Sequence, residues 1–233
     1  MVARLLDVYD FLKNKKNNFI GWIKTSQGEG GLFNARGYAM QRIVVCDKNN
    51  KPLYDQPLLF ENAGCIIIIK MGNKIALTQN FRMVGERILL NAGSNYITEI
   101  NKKSLWEKLV KSLGQWKREA PRGIIQNSNE TDEIKFVLHT AIQESLEEAG
   151  VHIKNMKLMG RLNTNSTFFA HAQYVVMAEV ESIEKAKPEE FEAIGNMQFM
   201  DMHELKKLAK TGEFDDGTTL GAMALCGLCL PQD

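Results

Sequence analysis

Apolar positions recur along the chain with two periods, and the changes between them mark out its elements. Residues 1–62 hold an amphipathic start (Leu5, Leu6, Val8, Tyr9, Phe11, Leu12) and a glycine-rich turn at Gln27-Gly-Glu-Gly-Gly31. A strand at Arg42-Ile-Val-Val-Cys46 follows, with Asp47-Lys-Asn-Asn-Lys51 as its turn. A clearer unit starts near Gly64. Cys65 to Lys70 and Lys74 to Gln79 are apolar strands, and Met71-Gly-Asn73 is the hairpin turn between them. Residues 83–118 interrupt this pattern. Within them Ser104-Leu-Trp-Glu107 reads as a helix capping box, and Leu105, Trp106, Leu109, Val110 and Leu113 follow helical spacing. Beyond the long helix described next, strands are expected at Leu158 to Leu162, Gln173 to Glu181 and Met197 to Met200. A helix is expected from His203 to Lys210, and a last one after Asp215-Asp216. This mixture predicts an α/β (α+β) core.

The long helix, Thr131 to Val151, carries most of the chemistry. Ile134, Val137, Leu138, Ala141, Ile142, Ser145, Leu146 and Ala149 mark its buried face, and Gly150 stands where a C-terminal cap glycine belongs. Opposite them, Thr140, Gln143, Glu144, Glu147 and Glu148 share one stripe. That stripe is electrostatically awkward. Glu144 and Glu148 are like charges one turn apart, a penalty of about 0.2–0.5 kcal/mol. Glu147 and Glu148 also face the negative end of the helix dipole. Stability alone prefers lysine there, whereas a divalent cation reverses both penalties, because Mg²⁺ wants several oxygen ligands in one place.

Composition adds bounds. The 233 residues suffice for one ample core plus a small accessory unit. A net charge of +1 argues for neither a nucleic-acid face nor an acidic tail. The longest apolar run, Cys65 to Ile69, is too short to cross a bilayer. No apolar stretch with a cleavage site opens the chain, so a cytoplasmic protein is expected. Cys226-Gly-Leu-Cys229 has metal-ligand spacing, but no second ligand pair stands near it in sequence. Both residues lie in an apolar stretch, where buried thiols act as small hydrophobes.

Gln143-Glu144-Ser145-Leu146-Glu147-Glu148-Ala149-Gly150-Val151 resembles the second half of the Nudix box, R-E-U-x-E-E-x-G-U with U a bulky aliphatic. Glu119-Ala-Pro-Arg-Gly123 resembles the E-x-P-x-G that leads into that box. Leu77-Thr-Gln-Asn-Phe-Arg82 and Gly212-Glu-Phe-Asp-Asp-Gly-Thr-Thr-Leu220 resemble segments of the ADP-ribose pyrophosphatase subgroup. The four stand in the family's order. Four positions depart from the pattern: Gln143 replaces the arginine that braces the glutamates, Ser145 replaces an aliphatic residue, and the first-half glutamate and glycine fall on Lys135 and Asn129.

The resemblance implies a Nudix α/β/α sandwich over residues 63–233, with a helical insertion at about 83–118. Residues 1–62 become a partly β accessory unit for dimerisation, making the protein a homodimer. It implies Mg²⁺, or Mn²⁺ in its place, held by Glu144 and Glu148 with Glu147 as a further or shared ligand and catalytic participant. The main-chain carbonyl of Arg122 would lie close to the ions. In the loop Pro188 to Ile194, Glu190 is the implied general base and Glu192 an auxiliary ligand; a merely solvated acidic loop is the alternative. Arg82 and Arg122 suit phosphate oxygens through their bidentate forks. Glu119 would orient an arginine or accept a hydrogen bond from substrate. Phe168 would stack on a base, with core packing as its alternative. The implied substrate is a nucleotide-type small molecule, ADP-ribose or a nucleotide sugar, with no nucleic acid and no membrane as partner.

Overall fold

The computed structural model describes residues 2–5, 33–35, 38–46, 52–82, 84–85, 87–124, 132–188 and 193–231. The expected amphipathic segment beyond Leu5, the turns at 27–31 and 47–51, and the loop carrying Glu190 and Glu192 lie outside them.

Two sheets are formed. In the first, β3 (Tyr38–Cys46) pairs along one edge with β4 (Pro52–Glu61). Its other edge is shared by β1 (Val2–Leu5) and β2 (Phe33–Ala35), and every pairing is antiparallel. The second sheet runs in the order β11-β6-β5-β10-β9, where β5 is Gly64–Met71, β6 is Lys74–Arg82, β9 is Val151–Leu162, β10 is Gln173–Ile183 and β11 is Gln198–Asp201. Only β5 and β10 run parallel, from Cys65 opposite Tyr174 to Lys70 opposite Glu179; the other pairings of this sheet are antiparallel. Leu59 of β4 exchanges backbone hydrogen bonds with Phe168 and Ala170, which joins the two sheets.

The isoleucine run of β5 shows why this strand is central. Cys65, Ile67 and Ile69 pack with Val137 and Ala141 of helix α3 (Glu133–Ala149). Ile66 and Ile68 point the other way, into a cluster with Leu205, Phe214, Ala222 and Met223. Helices α4 (Met202–Thr211) and α5 (Gly217–Leu225) supply three of these four residues. A continuous apolar run is what a strand covered on both faces requires. Each fully buried aliphatic contributes about 1.5–3 kcal/mol. The result is a mixed α/β sandwich, as the alternating periods predict.

The hairpin at Gly72 does not stay closed. β5 and β6 pair only at Lys70 with Ile75 and Met71 with Lys74, and then diverge. The mouth between them is filled by one stretch of chain: β7 (Gln115–Glu119) pairs with β6, and β8 (Arg122–Ile124) pairs with β5. Ala120 and Pro121 carry the chain across the gap, and Pro121 O accepts a hydrogen bond from Ile67 N at 2.9 Å.

Several expectations need correction. The capping box at Ser104 does not form: Ser104 takes a left-handed φ of 52°, and α2 (Trp106–Lys111) starts after Leu105 without a side-chain cap. A further helix, α1 (Tyr96–Lys102), precedes it. On α3, Ile134 and Ile142 are exposed, whereas Thr140 and Glu148 are buried. The glutamate stripe therefore borders the core rather than opposing it. Cys226 packs against the core, but Cys229 is exposed and is not a buried thiol.

Candidate active site

α3 ends beside the strand-switching segment, and that meeting builds the site. Its start is conventional: Asp132 caps it, accepting from Ile134 N and Lys135 N at 3.0 and 3.2 Å. Its end is closed by Gly150 at φ 65°, a conformation open to glycine at little cost. A Cβ there would also lie 2.4 Å from Glu184 O, so Gly150 fixes where the last turn stops.

Within that last stretch two carboxylates reach the Arg122–Gly123 peptide. Glu148 Oε2 accepts a hydrogen bond from Arg122 N at 3.1 Å, and Glu148 is only 4% exposed. Glu144 lies flat against Gly123, so closely that a Cβ there would fall 1.7 Å from Glu144 Oε1. Glycine at 123 is thus demanded by the approach of a side chain from another element. Beneath the pair sits the Cys65 thiol. Burial first, then the charges of Glu144 and Glu148, push it up to about 12, so it stays neutral and adds no third charge.

Next to this pair stands a compact charged cluster. Glu119, 2% exposed, accepts from Arg82 Nε at 2.9 and 3.1 Å and from Arg82 Nη2 at 2.6 Å. It also accepts from Arg122 Nη2 at 2.8 Å. One buried carboxylate therefore holds two guanidinium groups that would otherwise repel. Burial works against the charge on Arg82, but Glu119, then Glu148 and Asp216, outweigh it and hold the arginine above its ordinary range. Asp216 Oδ2 lies 3.6 Å from Arg122 Nη1 and accepts from Thr219 N and Oγ1 at 2.8 and 2.7 Å. Lys117 pairs with Asp215 at 2.8 Å.

Glu144, Glu148, Arg122, Glu119 and Arg82 are thus brought together. Glu147 is half-buried on the same turn, and its carbonyl accepts from Lys187 N at 3.1 Å. Among the described residues no group of three or more His, Cys, Asp or Glu side chains stands in place to hold a metal ion. The carboxylates that converge on the Arg122–Gly123 segment are Glu144 and Glu148. This pair still fits a small hard cation, which is commonly held by one or two carboxylates with water and substrate phosphate completing the shell. Phe168 stands edge-on to Phe169 with ring centroids 5.5 Å apart, in the segment that pairs with β4.

Cys65 escapes the sequence reading, and Asp216 and Thr219 enter it only within the Gly212-to-Leu220 segment, with no site role of their own. An Asp followed three positions later by Thr at the head of an apolar helix is a capping signal that marks the last two. Nothing local marks Cys65, whose role depends on a helix some eighty positions away.

Compared by sequence, the chain matches no family model and no curated protein. Its fold does find matches. A solved structure titled as that of an ADP compounds hydrolase superposes over 84% of this chain and 88% of its own, with a TM-score of 0.55 at 11% identity. The fold is Nudix-like. This agreement concerns architecture alone, the mixed sheet between helical layers. No helix among the described residues is long and apolar enough to cross a membrane.

Proposed function

We propose that the protein is a divalent-metal-dependent hydrolase. It splits the pyrophosphate of a nucleoside diphosphate linked to another group, with ADP-ribose or a nucleotide sugar as substrate. Water adds across the phosphoanhydride and yields a nucleoside monophosphate and a sugar phosphate. The observation that carries this reading is the meeting of Glu144 and Glu148 at the Arg122–Gly123 peptide, beside two arginines held by one buried glutamate.

Each group has a chemical task. Glu144 and Glu148 would hold Mg²⁺ or Mn²⁺, which when bound supplies charge neutralisation and a more acidic water. Glu147 on the same turn is a further ligand candidate. Arg82 and Arg122 offer the donors left over from Glu119 to phosphate oxygens. Glu119 keeps their forks aimed, because it is buried and accepts from both. Glu190 remains the proposed base, with Glu192 as an auxiliary ligand. The described flanks of their loop support this: Lys187 N bonds to Glu147 O, and Ala193 O accepts from Phe81 N. Residues 1–62 remain the proposed dimerisation unit and Phe168 a base-stacking candidate. The structure that shares the fold is titled an ADP compounds hydrolase, which agrees with a nucleotide-type substrate.

The test is incubation of the purified protein with ADP-ribose, nucleotide sugars and deoxynucleoside triphosphates in Mg²⁺, with AMP or the matching product measured. Faster release from a diphosphate-linked compound than from triphosphates supports the reading. One observation favours a second reading, a nucleotide-binding module of reduced activity: Gln143, at the position of the family's bracing arginine, is exposed. Saturable binding of ADP-ribose without turnover of any compound in the panel would select it.

A further inference from the structure

The two residues at which the chain changes strand partners have their own support. The ladder between β6 and β7 ends with Thr78 opposite Glu119, and the ladder between β5 and β8 begins with Ile66 opposite Arg122. Ala120 and Pro121 fall between them. Proline has no N–H to satisfy, but Ala120 does, and Ala120 is fully buried. A buried amide without a partner costs about 1–3 kcal/mol. Its hydrogen goes to Thr219 Oγ1, 2.9 Å away and 99 positions later in sequence. Thr219 is also fully buried, and its hydroxyl in turn donates a hydrogen bond to Asp216 Oδ2 at 2.7 Å. The same Asp216 oxygen caps α5 through Thr219 N and faces Arg122 Nη1.

We infer that Thr219 and Asp216 are positioning residues for the carboxylate pair, acting through the Ala120–Gly123 segment. A hydroxyl is the one small side-chain group that accepts from Ala120 and donates to Asp216 at once. The relay Asp216–Thr219–Ala120 fixes the crossing of the open hairpin. Three residues further on, Gly123 meets Glu144 with no room for even a methyl group, and Arg122 N holds Glu148. A displacement of the crossing by a fraction of an ångström therefore changes the spacing of the two carboxylates. Asp216 adds a second effect, because it turns the Arg122 guanidinium that Glu119 holds from the other side. The inference rests on the proposed hydrolase reading, in that the carboxylates must bind a cation for their spacing to matter.

The experiment compares wild type, Thr219→Val, Thr219→Ser and Asp216→Asn in the full chain. Mn²⁺ binding is followed by the paramagnetic resonance of the free ion, and kcat and KM are measured on ADP-ribose beside melting curves. Thr219→Val, nearly isosteric but without the hydroxyl, is expected to weaken Mn²⁺ binding about tenfold, the low end for loss of an outer partner of a metal site. Thr219→Ser is expected to restore it. Asp216→Asn is expected to raise KM more than it lowers kcat, through Arg122. A folded Thr219→Val with wild-type Mn²⁺ affinity overturns the inference, even if it melts earlier. Should Thr219→Val fail to fold, Asp216→Asn decides, and unchanged Mn²⁺ affinity together with unchanged KM overturns it. Wild type that binds no Mn²⁺ overturns the metal-hydrolase reading itself, and this inference with it.

Discussion

The two ends of α3 obey different rules. The first turn follows ordinary helix energetics: Asp132 caps two amides, Glu133 sits where the dipole favours an acid, and Ile134 is turned to solvent. The last turn contradicts them. No basic residue balances the dipole there, Glu148 is an acid at the wrong end, and it is buried. The difference lies in what each end touches. The last turn abuts a crossing strand that offers it an amide at Arg122 and a bare Cα at Gly123. Local unfavourable choices at a place of tight contact are where function is expected to reside.

Substitutions at the two ends sharpen this contrast. The largest effect belongs to Glu148→Gln. The amide can still accept from Arg122 N, but the charge is gone, and turnover is expected to fall at least about a hundredfold, beyond the loss typical of outer metal partners. The metal-free melting temperature should hold or rise, because an acid near the negative pole of the helix is removed. Assays of rate and melting in one preparation check both. Gly123→Ala comes next. Its methyl must displace Glu144, at an expected cost of about 1–3 kcal/mol of overpacking together with lost metal binding, read from denaturant unfolding and Mn²⁺ titration.

Alkaline stability is the third test. Burial and the neighbouring carboxylates push the Cys65 thiol from the ordinary thiol range in the unfolded chain up to about 12 in the fold. A raised thiol pKa stabilises the fold fully below pH 9, and that stability is lost as pH climbs toward 12. In chelator, the contribution is expected to be smaller by about 1 kcal/mol at pH 10, and Cys65→Ala should remove this slope. At the other end of the helix, Asp132→Ala should cost about 1 kcal/mol of stability with turnover unchanged, as for a lost cap. The smallest effect is expected at Ile134, where replacement by Ser should stay within about 0.5 kcal/mol in chemical unfolding.

Much of this architecture is readable from the chain, and the exceptions share a cause. β5 and the hairpin turn at Gly72 show because four successive isoleucines and a turn glycine are local signals. α3 shows because its apolar period and Gly150 coincide. β7 stays hidden: apart from Trp116, Gln115-Trp-Lys-Arg-Glu119 is polar, with no apolar alternation to mark a strand that carries charge into the mouth of an open hairpin. Ser104 misleads because a capping sequence also fits a residue in a left-handed turn. Among the candidate site residues, Glu144, Glu148, Arg82, Glu119 and Arg122 are legible through spacing and resemblance. That Glu119 serves both arginines, and that Thr219 supports Ala120, follow only from contacts between segments distant in sequence.

The central claim is that Glu144 and Glu148 together hold a divalent cation. Crystals soaked in Mn²⁺ and measured at an anomalous wavelength test it directly. The account predicts a strong anomalous peak within coordinating distance of both carboxylates, absent in Glu148→Gln crystals treated alike. A well-ordered site with no peak between those two side chains would contradict it.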